Sequence, residues 1–154
     1  MNLYLDVDGV LYPMSARGTS DFTDWVDADF FTFSPDMVAR LGALDVTTHW
    51  LTTWRGEAND VLCPSFGWEP LPVLERRREA LWWKLEALTA AQRSDEPFVW
   101  IDDELNERRR SSNGIVDAIL DRFRAPYLLV SPDLHVGLSI TELASVEAFV
   151  ALHA

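Results

Sequence analysis

The chain has 154 residues, of which 13 are basic and 25 acidic, so its formal net charge is −12 at pH 7. This length fits one domain over residues 1–154, and a hydrophobic content of 48% excludes intrinsic disorder. The acidic excess disfavours non-specific binding to nucleic acid or to anionic membranes, because both would be repelled. Cys63 is the only cysteine, which excludes an internal disulfide and a thiolate metal cluster. No apolar run has transmembrane length and no signal peptide is recognisable, so a cytoplasmic location without a membrane partner is predicted.

The first half of the chain predicts two strands and a helix. A short apolar strand is expected over 3–7, and 12–33 has the weak periodicity of an irregular loop or flap. Ser34 precedes a proline and an acid, which predicts a helix that Ser34 caps and that ends near Leu44. Residues 46–53 are rich in β-branched and aromatic side chains, and they predict the second strand.

The second half continues the alternation of strands and helices. The predicted elements are a helical turn at 57–62, an edge strand at 71–74, a helix over 75–92, a strand over 97–101, a helix over 115–123, a strand over 127–130 and a helix over 141–152. The helix over 115–123 is expected to place Ile115, Ile119 and Phe123 on one apolar face, and Thr141 is expected to cap the last helix. Because strands that are apolar on both faces alternate with helices, we predict an α/β fold with a parallel sheet and helices on both faces.

Acidic residues follow the first predicted strand. In a parallel sheet the ligand site lies beyond the carboxyl ends of the strands. Asp6 and Asp8 are two residues apart, so both side chains can face one cavity. Gly9 lets the chain turn sharply past them.

Further polar residues follow two other strands at the same predicted edge. Thr52 and Thr53 end the second strand, and Asp102 and Asp103 follow the strand after the long helix. Lys84 lies in that helix and is the only lysine of the chain, where every other basic residue is an arginine. Its compact ammonium differs chemically from a planar guanidinium, which singles it out.

These residue types together indicate phosphoryl transfer. Clustered carboxylates repel one another unless a cation lies among them, and hard oxygen ligands without His or Cys select Mg²⁺. The candidate metal ligands are Asp6, Asp8, Asp102 and Asp103. The mechanism that uses all the groups runs through an aspartyl phosphate, with Asp6 as nucleophile and Asp8 as general acid and base. Thr52 and Lys84 are the further catalytic candidates, since they can hold the phosphoryl oxygens.

The same residues resemble the four motifs of the haloacid dehalogenase (HAD) superfamily in its phosphatase form. The matching segments are Asp6-Val7-Asp8-Gly9-Val10-Leu11, Thr52, Lys84 and Asp102-Asp103. Their order and spacing match over most of the chain. The resemblance implies a Rossmann-like sheet in the strand order 5-4-1-2-3, a Mg²⁺ cofactor and an aspartate nucleophile. It also implies a minimal cap or none, because the insertion points have no room for a folded cap and the flap over 12–33 takes its place.

A narrower resemblance suggests the substrate class. Segments 4–11, 50–54, 100–104 and 136–138 are similar to a small bacterial HAD group, which is similar in turn to the HAD domain of bacterial RNA-repair proteins. This implies a phosphorylated substrate that is a nucleotide, another small molecule or a nucleic-acid end. Capless members often act on large substrates or use an oligomeric partner as a lid, so a homodimer is considered as well.

Several alternatives stay open. The candidate substrate-binding residues are Gly9, Thr53 and Arg55, and Thr53 competes with the favoured Thr52 as the phosphate-binding hydroxyl. Arg55 either contacts substrate or covers the surface. For the whole chain, the alternative to a phosphatase is a non-catalytic module that binds a phospho-ligand on the same fold.

Overall fold

The structure, a computed structural model, describes residues 1–14, 20–75 and 81–153. Its strands in those ranges are β1 (Asn2–Leu5), β2 (Val26–Asp27), β3 (Thr32–Phe33), β4 (Thr47–Trp50), β5 (Phe98–Ile101) and β6 (Tyr127–Val130). Four of them form a parallel sheet in the order β4-β1-β5-β6, and β2 pairs with β3 in an antiparallel hairpin. The predicted α/β class with a parallel sheet is therefore confirmed.

Helices follow most of the parallel strands. In chain order they are α1 (Pro35–Gly42), α2 (Cys63–Phe66), α3 (Trp83–Ala91), α4 (Leu105–Ser111), α5 (Ile115–Leu120) and α6 (Ile140–His153), with a π-helical turn at Ala58–Leu62 just before α2. Across the described ranges, no helix combines the length and the apolar character that crossing a membrane requires.

Alternating side chains of the central strands build two hydrophobic clusters. Leu3 and Leu5 of β1 join buried residues of α1 and α6, whereas Tyr4 joins buried residues of α3, α4 and α5. The side chains of β5 alternate between the two clusters in the same way. Successive side chains of a strand point to opposite faces of its sheet, so the clusters lie on opposite faces and helices cover both.

Ser34 begins α1 as the sequence predicts. Its hydroxyl oxygen accepts a hydrogen bond from the backbone N–H of Met37 at 3.1 Å, and a proline occupies the first turn. Asp24 of the flap accepts a hydrogen bond from the Ser34 hydroxyl and another from the backbone N–H of Asp36 at 2.7 Å. The flap is therefore tied to the start of α1.

The flap and the third strand differ from the prediction. The described part of 12–33 contains the β2–β3 hairpin, because Phe31 and Phe33 are buried in the core and hold this segment against it. The strand expected at 71–74 is reduced to a single parallel bridge between Val73 and Trp50.

The long helix is shorter than predicted over the part that the structure describes. It begins at Trp83, because the backbone of Trp82 is extended, with φ −155° and ψ 112°. Residues 76–80 of the predicted helix lie outside the described residues. Leu85 and Leu88 are buried, so the predicted apolar spacing is confirmed for this half of the helix.

One helix face and one helix cap also differ from the sequence prediction, because tertiary packing decides both. The buried residues of α5 are Val116 and Leu120, and Ile119 and Phe123 pack partly buried against the same cluster. Ile115 is 52% exposed, so the predicted face is wrong at that position. Ser139, not Thr141, caps α6. Its hydroxyl oxygen accepts from the backbone N–H of Glu142 at 3.2 Å, and the Glu142 carboxylate accepts from the backbone N–H of Ser139 at 2.8 Å. This reciprocal pair is a capping box, which satisfies two free N–H groups at the helix start.

Candidate functional site

Two buried carboxylates stand side by side where the central strands end. Leu5, the last residue of β1, pairs with Ile101, the last residue of β5, so the residues that follow them are neighbours. The backbone N–H of Asp6 donates to the Ile101 carbonyl at 3.1 Å and continues this pairing by one residue. Asp6 is 4% exposed and Asp102 is fully buried. The structure thus brings both predicted aspartates to the carboxyl edge of the sheet.

Lys84, in the first turn of α3, lies between these two carboxylates. Its Nζ donates to Asp6 Oδ2 at 2.6 Å and to Asp102 Oδ2 at 2.7 Å, and it lies 3.7 Å from Glu104 Oε2. Burial by itself would lower the pKa of Lys84, but the charges of Asp102 and Asp6 raise that pKa above its usual value. The buried ammonium is therefore protonated and compensates part of the negative charge around it.

Burial raises the pKa of both carboxyl groups that contact Lys84. For Asp102, burial and the neighbouring charge of Asp6 raise the pKa to about 8, although Lys84 opposes the shift. Burial likewise raises the pKa of Asp6 against the opposing effect of Lys84. Two carboxylates that share one ammonium therefore retain a proton near neutral pH, and a further cation would displace it.

Asp103 completes a group of three carboxylates. One carboxylate oxygen each of Asp6, Asp102 and Asp103 lies within 4.8 Å of the other two. Within the described ranges, these are the His, Cys, Asp or Glu side chains that lie close enough together in a group of three to share a metal ion. Burial and the charge of Asp6 raise the pKa of Asp103 to about 6. The three side chains are thus an anionic cluster with one ammonium on one side.

Gly9 allows the chain to pass close to Asp103. Its φ is +71°, and a Cβ atom at this position would lie 2.7 Å from the Cγ atom of Asp103. Glycine adopts this backbone conformation without strain and leaves room for the carboxylate. The structure therefore supplies a packing reason for Gly9, and its contact with substrate stays a prediction.

Asp8 is not part of the group of three carboxylates, and its own carboxylate is hydrogen-bonded to a tryptophan. The indole Nε1–H of Trp54 donates to Asp8 Oδ2 at 3.1 Å. The Trp54 ring packs edge-on against Phe31 of the flap, with 6.3 Å between the ring centroids, so the flap supports the indole. The sequence analysis assigned no role to Trp54. The feature of the sequence that could have indicated a role for Trp54 is that it places an aromatic N–H donor two residues after Thr52.

Thr52 and Thr53 have different surroundings. Thr52 is fully buried, its hydroxyl is hydrogen-bonded to Asp6, and its oxygen accepts from the backbone N–H of Trp54 at 3.3 Å. Thr53 and Arg55 are exposed, and both line a neighbouring cleft of about 520 Å³. The structure therefore places Thr52, and not Thr53, against the candidate nucleophile.

Glu104 is a second residue that the sequence analysis left without a role. Its backbone N–H donates to Asp102 Oδ1 at 2.9 Å, which fixes the Asp102 side chain from the side opposite Lys84. Its carboxylate accepts from Arg108 at 3.0 Å. The feature of the sequence that could have indicated a role for Glu104 is its position directly after the Asp102-Asp103 pair.

Comparison with known proteins gives no relative of this chain: no family model, curated protein or solved structure matches it. The site is a buried carboxylate–lysine cluster at the carboxyl edge of a parallel α/β sheet.

Proposed function

We propose that this chain is a Mg²⁺-dependent phosphatase of the HAD type, which hydrolyses a phosphomonoester through an aspartyl phosphate on Asp6. The observation that supports the proposal best is the convergence of three carboxylates around one buried ammonium, that of Lys84. Even with one proton retained on the Asp6–Asp102 pair, two carboxylates face one ammonium, which leaves an excess of negative charge. That excess suits a divalent cation and would otherwise repel a phosphate.

The donor set fits Mg²⁺. Asp6, Asp102 and Asp103 offer carboxylate oxygens within 4.8 Å of one another, and hard oxygen donors are the ligands that Mg²⁺ prefers. These three residues would hold the ion, while Asp8 as a ligand stays a prediction because its carboxylate faces Trp54. When bound, Mg²⁺ neutralises charge on the phosphoryl oxygens and so lets a phosphate approach the carboxylates.

In the first step a carboxylate oxygen of Asp6 forms a bond to phosphorus, and the bond from phosphorus to the leaving oxygen breaks. Asp8 donates a proton to that oxygen, so the leaving group departs as a neutral alcohol. Asp8 follows Asp6 by two residues, and the Trp54 indole fixes the position of its carboxyl group.

In the second step the Asp8 carboxylate takes a proton from a water molecule, whose oxygen attacks phosphorus. The bond between phosphorus and Asp6 breaks, which releases inorganic phosphate and restores the Asp6 carboxylate. Lys84 and Thr52 both contact Asp6, so they are positioned to hold phosphoryl oxygens during both steps.

The arrangement of the sheet supports the HAD assignment. The parallel segments lie side by side as the Val73 bridge, β4, β1, β5 and β6, which is the order 3-2-1-4-5 when only these segments are numbered along the chain. The resemblance implies five full strands in the order 5-4-1-2-3; the four strands and the single Val73 bridge support that order, which stays a proposal. The missing cap, the cytoplasmic location and the homodimer stay predictions.

A phosphatase assay with Asp6→Asn tests the proposal. Wild-type protein should release 4-nitrophenol from 4-nitrophenyl phosphate with Mg²⁺ and lose this activity in EDTA. Asp6→Asn should lower kcat by about 10³-fold or more, because the loss of a nucleophile removes most of the catalytic machinery at once. Rapid acid quenching with ³²P-labelled substrate should trap a label on the wild-type protein that hydroxylamine releases, as expected for an acyl phosphate.

Asp45→Asn is the matched control, since it removes the same charge from an exposed position outside the site and should leave activity at the wild-type level. Turnover that persists in Asp6→Asn would contradict the nucleophile assignment. Binding of phosphorylated ligands without turnover of any of them would favour the non-catalytic binding module instead.

A further inference from the structure

A cleft of about 520 Å³ lies beside the carboxylate cluster and shares a wall with it. Its lining residues in the described ranges are Thr53, Trp54, Arg55, Gly56, Glu57, Asp60 and Trp83. Trp54 belongs to both places, because its indole N–H is bonded to Asp8 while the residue lines the cleft. Trp83 directly precedes Lys84 in α3. The volume is within the usual range of small-molecule sites, about 300–1,000 Å³.

The position of the general acid determines which part of a substrate would enter this cleft. A general acid must lie within hydrogen-bond reach of the oxygen that it protonates, which is about 3 Å. The Asp8 carboxylate is itself 3.1 Å from the Trp54 indole nitrogen. The leaving group therefore departs next to Trp54, so the cleft is on the leaving-group side of the phosphorus.

The cleft offers three kinds of contact. Trp54 and Trp83 supply aromatic surface, on which a planar ring can stack. The guanidinium of Arg55 has no hydrogen bond, ion pair or ring contact with any residue that the structure describes, so it is free to donate to a ligand. Glu57 and Asp60 are exposed on the same wall and can accept hydrogen bonds.

The backbone of this wall is unusual in two ways. Arg55 has φ +51°, which is uncommon for a residue with a side chain, and a π-helical turn begins three residues later at Ala58. Both features are concentrated at functional sites, where the local cost is offset by what the geometry positions. Of this segment, Arg55, Gly56, Glu57 and Asp60 line the cleft.

We propose that the cleft binds a nucleobase, and thus that the substrate is a nucleoside monophosphate; this inference rests on the proposed phosphatase function. A nucleobase combines an aromatic face for the tryptophans with acceptors for Arg55 and amino or imino donors for the carboxylates. Guanine has all three, since its O6 and N7 atoms pair with arginine and its N1–H and amino group suit a carboxylate. An alkylammonium group would be repelled by the positive charge of Arg55. A long nucleic acid would be repelled by the net charge of −12.

Guanosine 5′-monophosphate and ribose 5-phosphate test the inference as a matched pair, because ribose 5-phosphate has a hydroxyl group in place of the base. Wild-type kcat/KM should be about 5- to 150-fold higher for the nucleotide, which is the range of one base–aromatic stacking contact. Trp83→Ala should reduce this ratio at least fivefold, mainly through a higher KM for the nucleotide. Trp83→Phe should preserve most of the ratio, because it keeps an aromatic ring.

Phe123→Ala is the control for loss of packing, since Phe123 packs against the same hydrophobic cluster as Trp83 but lies outside the cleft. Arg55→Gln is a second variant on the surface of the cleft, and it should also lower the ratio. Equal turnover of the two wild-type substrates, or a ratio that Trp83→Ala and Arg55→Gln leave unchanged in folded protein, would overturn the cleft assignment alone. Turnover of neither substrate by protein that hydrolyses 4-nitrophenyl phosphate would also overturn the cleft assignment alone, whereas protein that hydrolyses none of the three would overturn the phosphatase proposal as well.

Discussion

Replacement of Lys84 by methionine tests the electrostatic account of the site. The ammonium has a 3% exposed side chain and donates at 2.6 Å to Asp6 and at 2.7 Å to Asp102, both of which are buried. Methionine fills a similar volume without charge. Lys84→Met therefore leaves two buried carboxyl groups without their shared cation, and changes little else in the packing.

The expected cost follows from this burial. Removal of one partner from a buried ion pair destabilises a protein by about 3–5 kcal/mol, because the remaining charge has neither water nor a partner. A domain of this size has about 5–15 kcal/mol of stability in total. At about 2–4 °C per kcal/mol, the melting temperature of Lys84→Met should fall by about 6–20 °C.

Thermal unfolding in EDTA, followed by circular dichroism at pH 8 and pH 5, measures the effect. The destabilisation should be smaller at pH 5, since the two unpaired carboxyl groups can take up protons there. The double variant Lys84→Met/Asp102→Asn should recover part of the loss, because it leaves one buried carboxyl group, instead of two, without a cation. Arg110→Met is the control: it removes an exposed partner of Glu107 and should leave the melting temperature almost unchanged.

Two outcomes would refute the reasoning. One is a melting temperature of Lys84→Met that matches wild type at pH 8, which would mean that the ammonium does not compensate Asp6 and Asp102. The other is a double variant that is less stable than the single variant, which would mean that the Asp102 charge is not the source of the cost.

Two further predictions concern pH and Gly9. Without divalent metal, the free energy of unfolding should fall as pH rises from about 5 to 8 and should level off above 8. In this window the folded protein holds a proton on Asp102, whose pKa is about 8, whereas the unfolded chain, with a value of 3.8, has already lost it. Urea unfolding should show this slope in wild type and a weaker one in Asp102→Asn, and an equal slope in both would contradict the assignment. Gly9→Ala should destabilise the fold more than Gly67→Ala, because both have φ near +70° but only the Cβ at position 9 meets the Asp103 side chain. Urea unfolding of both variants measures the difference, and equal losses would show that Asp103 moves aside without cost.

Much of the fold could be predicted from local pattern. Apolar runs and β-branched side chains identify β1, β4, β5 and β6, and the Ser34-Pro35-Asp36 segment identifies the start of α1, since these signals depend only on neighbours in the chain. The predicted face of α5 and the predicted cap of α6 are wrong, because the choice between Ile115 and Val116 depends on where the helix meets the sheet. The β2–β3 hairpin was missed for a similar reason. Its strands are two residues long, and the burial of Phe31 and Phe33 holds the hairpin in place.

The candidate site, like the fold, could be predicted from the sequence only in part. Acids after strand ends can be recognised from sequence, which predicts that Asp6, Asp8, Asp102 and Asp103 converge. The structure groups Asp6, Asp102 and Asp103 within 4.8 Å of one another, without Asp8. The contact between Trp54 and Asp8 could not be predicted, because it joins residues 46 positions apart through a side-chain orientation that the flap supports. The position of Lys84 against Asp6, rather than free in the cavity, likewise depends on how α3 packs on the sheet.

Sequence by itself therefore determined the class of fold, the edge of the sheet where chemistry is expected and the residue types available there, because strand alternation and strand-end composition are local properties. Tertiary structure decided which groups touch: the ammonium of Lys84 lies between two buried carboxylates, Asp8 is bonded to an indole, and a cleft opens beside them. Those contacts join residues that are distant in the chain. They also change pKa values through burial, which no local pattern encodes.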